Sequence, residues 1–283
     1  MPLLHVFILI ACNAAWGFNY IVGKIGTEHF TPLMFSAIRF TFVLILLIPF
    51  IRWVPGQMRR ILLLGVVMGG GHYTLMFYAI KMGHVLSTIA IATQLIVPMS
   101  TLLAVLLLGE RIQWIRTTAI AMCFIGVLII GFEPVGTNDI LALTLAVLAA
   151  LAMAVATIIM RGIEGVGVFN LQAWIALIAT PILVLLAIPI ENPSWDSLKT
   201  IEITHYWTPL YSGVGATIFG HGLMYWLLTK HPVNLVTPFY TLSTVFAVAF
   251  SIWLYGDELT GRILLGGAMT LLGVFIISRR QPV

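Results

Sequence analysis

Three ionisable side chains lie inside long apolar stretches of this sequence. Arg39 lies nine residues into one stretch, about 13 Å deep at 1.5 Å per residue, and His72 and His221 lie near the middle of two others. Charged groups in such stretches are costly and usually functional. Arg39 could bind a carboxylate, or it could bond to helix-end carbonyls or a neighbouring Glu. The histidines titrate at about pH 6.5 when unperturbed, so they could carry a proton, or they could pack against hydroxyls.

Further polar and aromatic residues have the spacing of a binding surface. Trp16 and Tyr20 recur at the i and i+4 positions of one helix face, with Asn19 beside Trp16. Gln94 precedes Pro98 by four residues, and that proline leaves the backbone carbonyl of residue 94 without its helical partner. Aromatic residues could instead anchor helix ends at the membrane interface. The predicted binding set is Trp16, Asn19, Tyr20, Arg39, His72, Gln94, His221, Tyr225 and Tyr240.

The composition shows which elements must position these residues. Of the 283 residues, 60% are hydrophobic and 8% are charged, and the mean hydropathy is +1.07. A soluble domain carries about 25% charged residues. The sequence therefore predicts an all-α integral membrane protein, and it excludes a soluble enzyme, a disordered chain and a disulfide scaffold. The charges form no basic stripe, so no nucleic-acid partner is expected.

Ten apolar windows are long enough to cross a bilayer, which takes about 20 residues. They run near 3–23, 31–51, 61–81, 86–108, 115–132, 139–160, 170–190, 208–229, 233–255 and 261–278. A turn is expected at 134–136. No stretch could form a separate soluble domain.

The positive charges predict the orientation of these spans. With ten alternating spans, the side that holds both termini receives nine Lys and Arg residues and the other side receives four. Because Lys and Arg are retained on the cytoplasmic side, both termini are expected in the cytoplasm. The four on the opposite side are Lys24, Lys81, Lys199 and Arg262, and the termini side includes Arg116, Arg161 and Arg280.

The sequence contains an internal repeat. Residues 71–81 (GHYTLMFYAIK) match residues 220–230 (GHGLMYWLLTK) at an offset of 149, and residues 109–127 match 256–274 at an offset of 147. Two ordered matches predict a first repeat over 1–132 and a second over 139–280. Because each repeat holds five spans, the second is inverted. Inverted repeats are typical of transporters, although duplication for stability alone is an alternative.

Several residues carry a resemblance to a known family. Ala15-Trp16-Gly17-Phe18-Asn19 with Lys24, Thr31-Pro32-Leu33 leading to Arg39, Leu108-Gly109-Glu110 with Gly126, and Gly256-Asp257-Glu258 with Gly273 stand in the order seen in EamA-type transporters, of the drug/metabolite transporter superfamily. The chain resembles this family over nearly its whole length. The resemblance implies a ten-helix carrier of amino acids, sugars or related compounds in a bacterial inner membrane. One departure is Thr244, where many relatives carry proline.

The predicted function is secondary transport of a small polar or zwitterionic metabolite, an amino acid or relative, in the export direction. It would proceed by alternating access with proton coupling as an added expectation. A passive channel or facilitator and a multidrug exporter are the alternatives, the latter weakened by the absence of Asp and Glu from the middle of the spans. No enzymatic activity, cofactor or metal is expected. Gly126, Gly266, Gly267 and Gly273 could serve bundle packing or a homodimer contact.

Overall fold

The computed structural model describes residues 1–131, 137–193 and 201–279 of the chain. Within these ranges the chain is helical, and ten helical units lie at the ten predicted windows, with edges that differ by a few residues. The expected turn at 134–136 lies outside the described residues, as do Lys199 and Arg280. The prediction of an all-α fold with ten helices is confirmed for the described part of the chain.

Six of the ten spans are uninterrupted or nearly so. The second span begins with Pro32 in its first turn, where the missing amide hydrogen has no helical partner to lose. The fourth and ninth spans end at Gly109 and Gly256, each with φ of 69°, a conformation that glycine adopts without strain. The six spans are the first (Leu3–His29), second (Pro32–Leu47, then a 3-10 turn Ile48–Phe50), fifth (Trp114–Gly131), sixth (Thr137–Arg161), seventh (Val168–Glu191) and tenth (Gly261–Arg279).

The other four spans are interrupted near their middle. Wide π-helical turns occur in the third and eighth spans, and each of these turns carries a histidine, His72 in one and His221 in the other. Such turns are rare in proteins overall, and those that occur are often found at functional sites. The segments are Met58–Val66, Val67–Tyr73 and Thr74–Met82 in the third span, Leu86–Thr93 and Ile96–Leu108 in the fourth, Trp207–Leu210, Tyr211–His221 and Gly222–Lys230 in the eighth, and Val233–Val236, Thr237–Tyr240 and Thr241–Tyr255 in the ninth.

The lengths and compositions of these units suit a bilayer. In the described residues, eight units are long and apolar enough to cross a membrane, and Thr241–Tyr255 of the ninth span is a shorter apolar helix. Large apolar side chains such as Leu106 and Trp253 are each 76% exposed on the outside of the bundle. Because lipid replaces water there, such exposure stabilises the protein in a membrane. The protein is therefore a multi-pass membrane protein.

The spans pack mainly across the midpoint of the chain. The fifth packs against the tenth, the second against the seventh, the first against the eighth and ninth, and the sixth against the third and fourth. A Cβ atom on Gly126 would lie 2.5 Å from the carbonyl oxygen of Gly266, so both glycines permit the close contact of the fifth and tenth spans. These glycines therefore serve packing within the chain.

Candidate functional site

A central cavity of about 770 Å³ lies between the spans of the two halves of the chain. Ligand sites commonly have volumes of about 300–1,000 Å³, so a small metabolite fits. We call the end of the bundle where the first span begins and the tenth ends the terminal face, and the other end the opposite face. Lining residues reach from Trp16 and Thr217 in mid-span to Arg161 and Ser278 at span ends on the terminal face. The cavity therefore extends toward the terminal face.

Aromatic rings build the inner end of the cavity. The Trp16 indole Nε1 donates a hydrogen bond of 2.8 Å to the backbone oxygen of Ala216. Its ring stacks on Tyr240, with centroids 5.5 Å apart, and lies 5.2 Å from the His221 ring. Gly220 permits this arrangement because a Cβ atom there would overlap the indole. The predicted residues Trp16, His221 and Tyr240 are thus brought together from three spans.

Gln94 also lines the cavity, at the interruption of the fourth span. Its side-chain amide donates a short hydrogen bond to the hydroxyl of Thr244 on the ninth span. The backbone oxygen of Gln94, which Pro98 deprives of its usual partner, accepts the amide hydrogen of Val97 at 3.1 Å. That carbonyl is therefore occupied, so the side chain is what Gln94 presents to the cavity.

Arg39 lies behind the cavity wall. It is 2% exposed, its Nη2 donates to the hydroxyl of Thr217 at 2.6 Å, and its guanidinium lies 4.4 Å from the centroid of the Tyr73 ring. Thr217 and Tyr73 both line the cavity, but Arg39 does not. In this conformation the arginine supports two wall residues through a hydrogen bond and a cation–π contact.

The two histidines occupy different surroundings. The Nδ1 of His72 donates to the backbone oxygen of Ala149 on the sixth span at 2.9 Å, and the residue does not line the cavity. His221 does line it, and its Nδ1 lies 3.2 Å from the backbone oxygens of both Ala216 and Thr217. Only His221 could exchange a proton directly with a ligand in the cavity.

The remaining predicted residues are divided between cavity and packing. Tyr225 lines the cavity and is 48% exposed. The Tyr20 hydroxyl pairs with the Thr93 hydroxyl at 2.6 Å, joining the first and fourth spans, and neither Tyr20 nor Asn19 lines the cavity. Lys24, on the same helix face, donates to the backbone oxygens of residues 80, 81 and 83 at 2.7–3.2 Å. The shared face therefore contributes Trp16 alone to the cavity.

Polar contacts close the opposite face, and we call them the opposite-face layer: Lys24 with residues 80–83, Asp257 with Ser87 and Ser251, and Glu191 with Leu33 and Tyr78. One oxygen of Asp257 accepts from the backbone nitrogen of Ser87 at 2.9 Å and from its hydroxyl at 2.8 Å, and from the hydroxyl of Ser251. An oxygen of Glu191 accepts from Leu33 N at 2.9 Å and the Tyr78 hydroxyl at 2.8 Å. These bonds hold neighbouring spans together.

Several cavity residues were not found from the sequence. Gln172 lines the wall near the start of the seventh span, with a buried side-chain oxygen that lacks a partner in the described structure. Arg116 and Arg161 also line it, although their positions at span ends predict only a role in topology. Arg116 and Gln172, polar residues two and four positions past the starts of their spans, could have indicated a polar entrance. Four methionines complete the wall: Met68, Met153, Met160 and Met224.

The cavity offers binding groups rather than reactive ones. Its described lining holds no carboxylate, and its polar atoms come from amides, hydroxyls, a histidine and two arginines. Among the residues that the structure describes, no group of three His, Cys, Asp or Glu side chains is arranged to hold a metal ion. A helical membrane protein with a cavity toward one face and a closed layer at the other has the form of a solute transporter.

The chain belongs to the EamA-like transporter family, whose model matches residues 3–132 and again 140–279. It is 29% identical to a "Probable amino-acid metabolite efflux pump" of Salmonella typhimurium strain LT2, over 95% of this chain and 93% of that protein. A protein of Escherichia coli K12 with the same description is 26% identical, over 92% of this chain and 90% of its own. A crystal structure described only as "Crystal structure of protein" matches with a TM-score of 0.62 at 16% identity, over 96% of this chain and 95% of its own, which shows the fold.

Proposed function

We propose that this protein is a secondary transporter that exports small polar or zwitterionic metabolites, amino acids or related compounds, by alternating access. The observation that carries the proposal is the central cavity, which reaches the terminal face while the opposite-face layer is closed. A cavity open to one side is one of the two states that alternating access requires. The descriptions of the two bacterial relatives support an amino-acid metabolite as the cargo.

We further propose that 1–132 and 139–280 are inverted repeats. Exchanging the halves turns the pairing of the first with the ninth span into that of the sixth with the fourth. In the same way, the pairing of the third with the sixth span becomes that of the eighth with the first. The pairs second with seventh and fifth with tenth map onto themselves. The same pairs of spans are therefore in contact after the halves are exchanged. This symmetry supports two interconvertible states of similar energy.

The two bacterial relatives support a location in a bacterial inner membrane. The positive-charge tally supports an orientation with both termini in the cytoplasm. In that orientation the terminal face is cytoplasmic, so the cavity accepts its cargo from the cytoplasm, as an exporter requires. A homodimer remains a separate prediction. Because Gly126 and Gly266 already pack against each other, the dimer contact would have to use other surfaces.

The test is counterflow in proteoliposomes loaded with unlabelled L-leucine or L-methionine and exposed to the labelled compound. A carrier gives transient accumulation of label, whereas a channel or facilitator only lets label equilibrate. Trp16→Ala should reduce counterflow strongly, because the indole is removed from the cavity wall. Trp253→Ala, on the exposed outside of the bundle, is the matched control and should transport like the wild type. Absence of counterflow with every amino acid tested would refute the proposal.

Multidrug export remains the second candidate, favoured by one observation. Four methionines line the cavity, and methionine adapts its shape to varied ligands. The same assay separates the candidates, because lipophilic cations would then compete with the labelled amino acid or replace it. The absence of a carboxylate from the described lining favours the amino-acid proposal, since an organic cation would lack a charged partner.

We also propose that transport is coupled to protons, and we assign the proton-carrying role to His221 rather than His72. His221 lines the cavity, whereas the Nδ1 of His72 is bonded to the Ala149 backbone oxygen. His221→Gln should flatten the pH dependence of transport, and His72→Gln should leave it as in the wild type. Equal pH profiles for the wild type and His221→Gln would refute this assignment.

A further inference from the structure

Arg116, in the first turn of the fifth span, is a buried cation that makes no salt bridge within the described structure. It lines the cavity near the terminal face and is 9% exposed. Its Nη2 makes one long contact, 3.4 Å to the backbone oxygen of Ile277. Its Nε and Nη1 atoms are buried and make no hydrogen bond to any described residue. The guanidinium therefore keeps at least two free donors.

A second arginine of the cavity lining, Arg161, has the charged partner that Arg116 lacks. Its Nη1 donates to Glu110 at 2.6 Å in a salt bridge. Arg161 is 46% exposed in its side chain, so water also solvates it. Of these two cations, only Arg116 is left with neither a carboxylate partner nor broad exposure.

Burying guanidinium donors without hydrogen-bond partners has a free-energy cost. Buried polar groups almost always have partners, so these donors indicate that a binding partner is missing. The charged groups around it are Arg161 and Glu110, which pair with each other. Because the described cavity lining holds no carboxylate, Arg116 makes this end of the cavity positive. An anionic group on a ligand is the partner that the site lacks.

The surrounding wall indicates what else the ligand carries. Val274 and Ile277 of the tenth span and Met160 of the sixth line the same cavity, and each presents an apolar surface. The planar guanidinium matches the geometry of a carboxylate and binds it more specifically than an ammonium group does. The fitting ligand thus carries a carboxylate together with a largely apolar side chain.

We propose that Arg116 binds the carboxylate of the transported metabolite at the terminal-face end of the cavity. This inference rests on the proposed function and refines it, because it makes the carboxylate the feature that the cavity selects. An amino acid would satisfy the free donors of Arg116, whereas the same compound with its carboxylate converted to an amide would leave them unpaired.

The experiment measures binding to the purified full-length protein in lipid nanodiscs, with labelled L-methionine and with unlabelled L-methioninamide as competitor. Arg116→Gln should weaken L-methionine binding roughly tenfold to hundredfold, the loss of a charge-assisted hydrogen bond. It should leave L-methioninamide binding unchanged or stronger. Arg59→Gln is the matched control, because Arg59 is exposed, lies outside the cavity lining and is on the same face, and its removal lowers the net charge equally.

Arg116→Lys keeps the proposal testable if the glutamine variant fails to fold. Lysine retains the charge but loses the planar fork, so L-methionine should bind about threefold to tenfold more weakly, with methioninamide binding unchanged. If either folded variant binds L-methionine within twofold of wild type, the inference is overturned while the proposed function stands. Inorganic phosphate provides a second way to overturn the carboxylate assignment. If phosphate competes with L-methionine for the wild type, and Arg116→Gln loses both that competition and L-methionine binding, the site would be reassigned to phosphorylated cargo. If wild type binds no amino acid, the proposed function fails as well.

Discussion

The closed opposite face depends on one carboxylate whose removal has a calculable effect. Asp257 lies between the ninth and tenth spans, is 8% exposed, and accepts two hydrogen bonds from Ser87 at the start of the fourth span. Its third bond, from Ser251, joins residues six positions apart and can survive when the spans separate. Opening the opposite face must therefore break the two bonds to Ser87.

The expected magnitude follows from those two bonds. A hydrogen bond to a charged group contributes about 1.5–3 kcal/mol and a neutral one about 0.5–1.5 kcal/mol. Asp257→Asn keeps an acceptor oxygen but removes the charge, so each bond loses about 1–1.5 kcal/mol, or roughly 2–3 kcal/mol in total. Since 1.4 kcal/mol is a factor of ten, the equilibrium shifts by about 30-fold to 150-fold toward the state open at the opposite face.

The assay reads the opening directly. Thr27, near the end of the first span at the opposite face, is 2% exposed, so Thr27→Cys should react slowly with a membrane-impermeant maleimide. The native Cys12 and Cys123 are 3% and 0% exposed and give little background. Adding Asp257→Asn should raise the labelling rate by the computed factor. Adding Glu258→Gln, an equal charge change at an exposed neighbour, should not. Equal rates in these two variants would show that Asp257 does not hold the face closed.

Three further predictions concern stability, each read from the Tm of the detergent-purified protein. Arg39→Lys should destabilise the fold by about 2–3 kcal/mol, because lysine cannot both stack on the Tyr73 ring and reach the hydroxyl of Thr217. An unchanged Tm with weakened substrate binding would instead make Arg39 a binding residue. Gly126→Leu should lower the free energy of unfolding by at least about 1–3 kcal/mol, because the larger side chain separates the fifth and tenth spans. Gly261→Ala, whose Cβ atom would lie in open space, should lower it far less. Equal losses of stability would contradict the packing argument. Desolvation and the adjacent His5 ring lower the pKa of His231, so the protein should lose stability as the pH falls through about 6.5. His5→Gln should reduce that loss, and an unchanged pH dependence of the Tm would contradict the role of the His5 ring.

The number and placement of the spans could be predicted because a bilayer imposes a minimum apolar length. Ten windows predicted from hydropathy match the ten helical units in the described part of the chain, and the interrupted ninth span corresponds to one window at 233–255. What hydropathy does not encode is the interruption itself. The π turns around His72 and His221 depend on how neighbouring spans pack, and packing is a property of the assembled bundle.

The site could be predicted only in part, for the same reason. Trp16, Gln94, His221, Tyr225 and Tyr240 line the cavity as predicted members of the set. The other predicted residues lie between helices outside the cavity lining, and helical spacing alone does not show which neighbouring helix a face will contact. Arg116 illustrates a different limit. A cation near a span end has the pattern of a topology signal, and only the assembled cavity shows that its Nε and Nη1 lack hydrogen-bond partners in the described structure.

The asymmetric depth of the cavity has an electrical consequence. Water that fills it from the terminal face would bring the potential of that compartment to the level of Trp16, so the transmembrane voltage would fall mainly across the closed opposite half. Moving one elementary charge through 100 mV involves about 2.3 kcal/mol. A zwitterion crosses that thin barrier without electrical work, whereas any proton that crosses with it or against it experiences nearly the whole voltage. The current that accompanies each transported molecule would therefore count the protons exchanged.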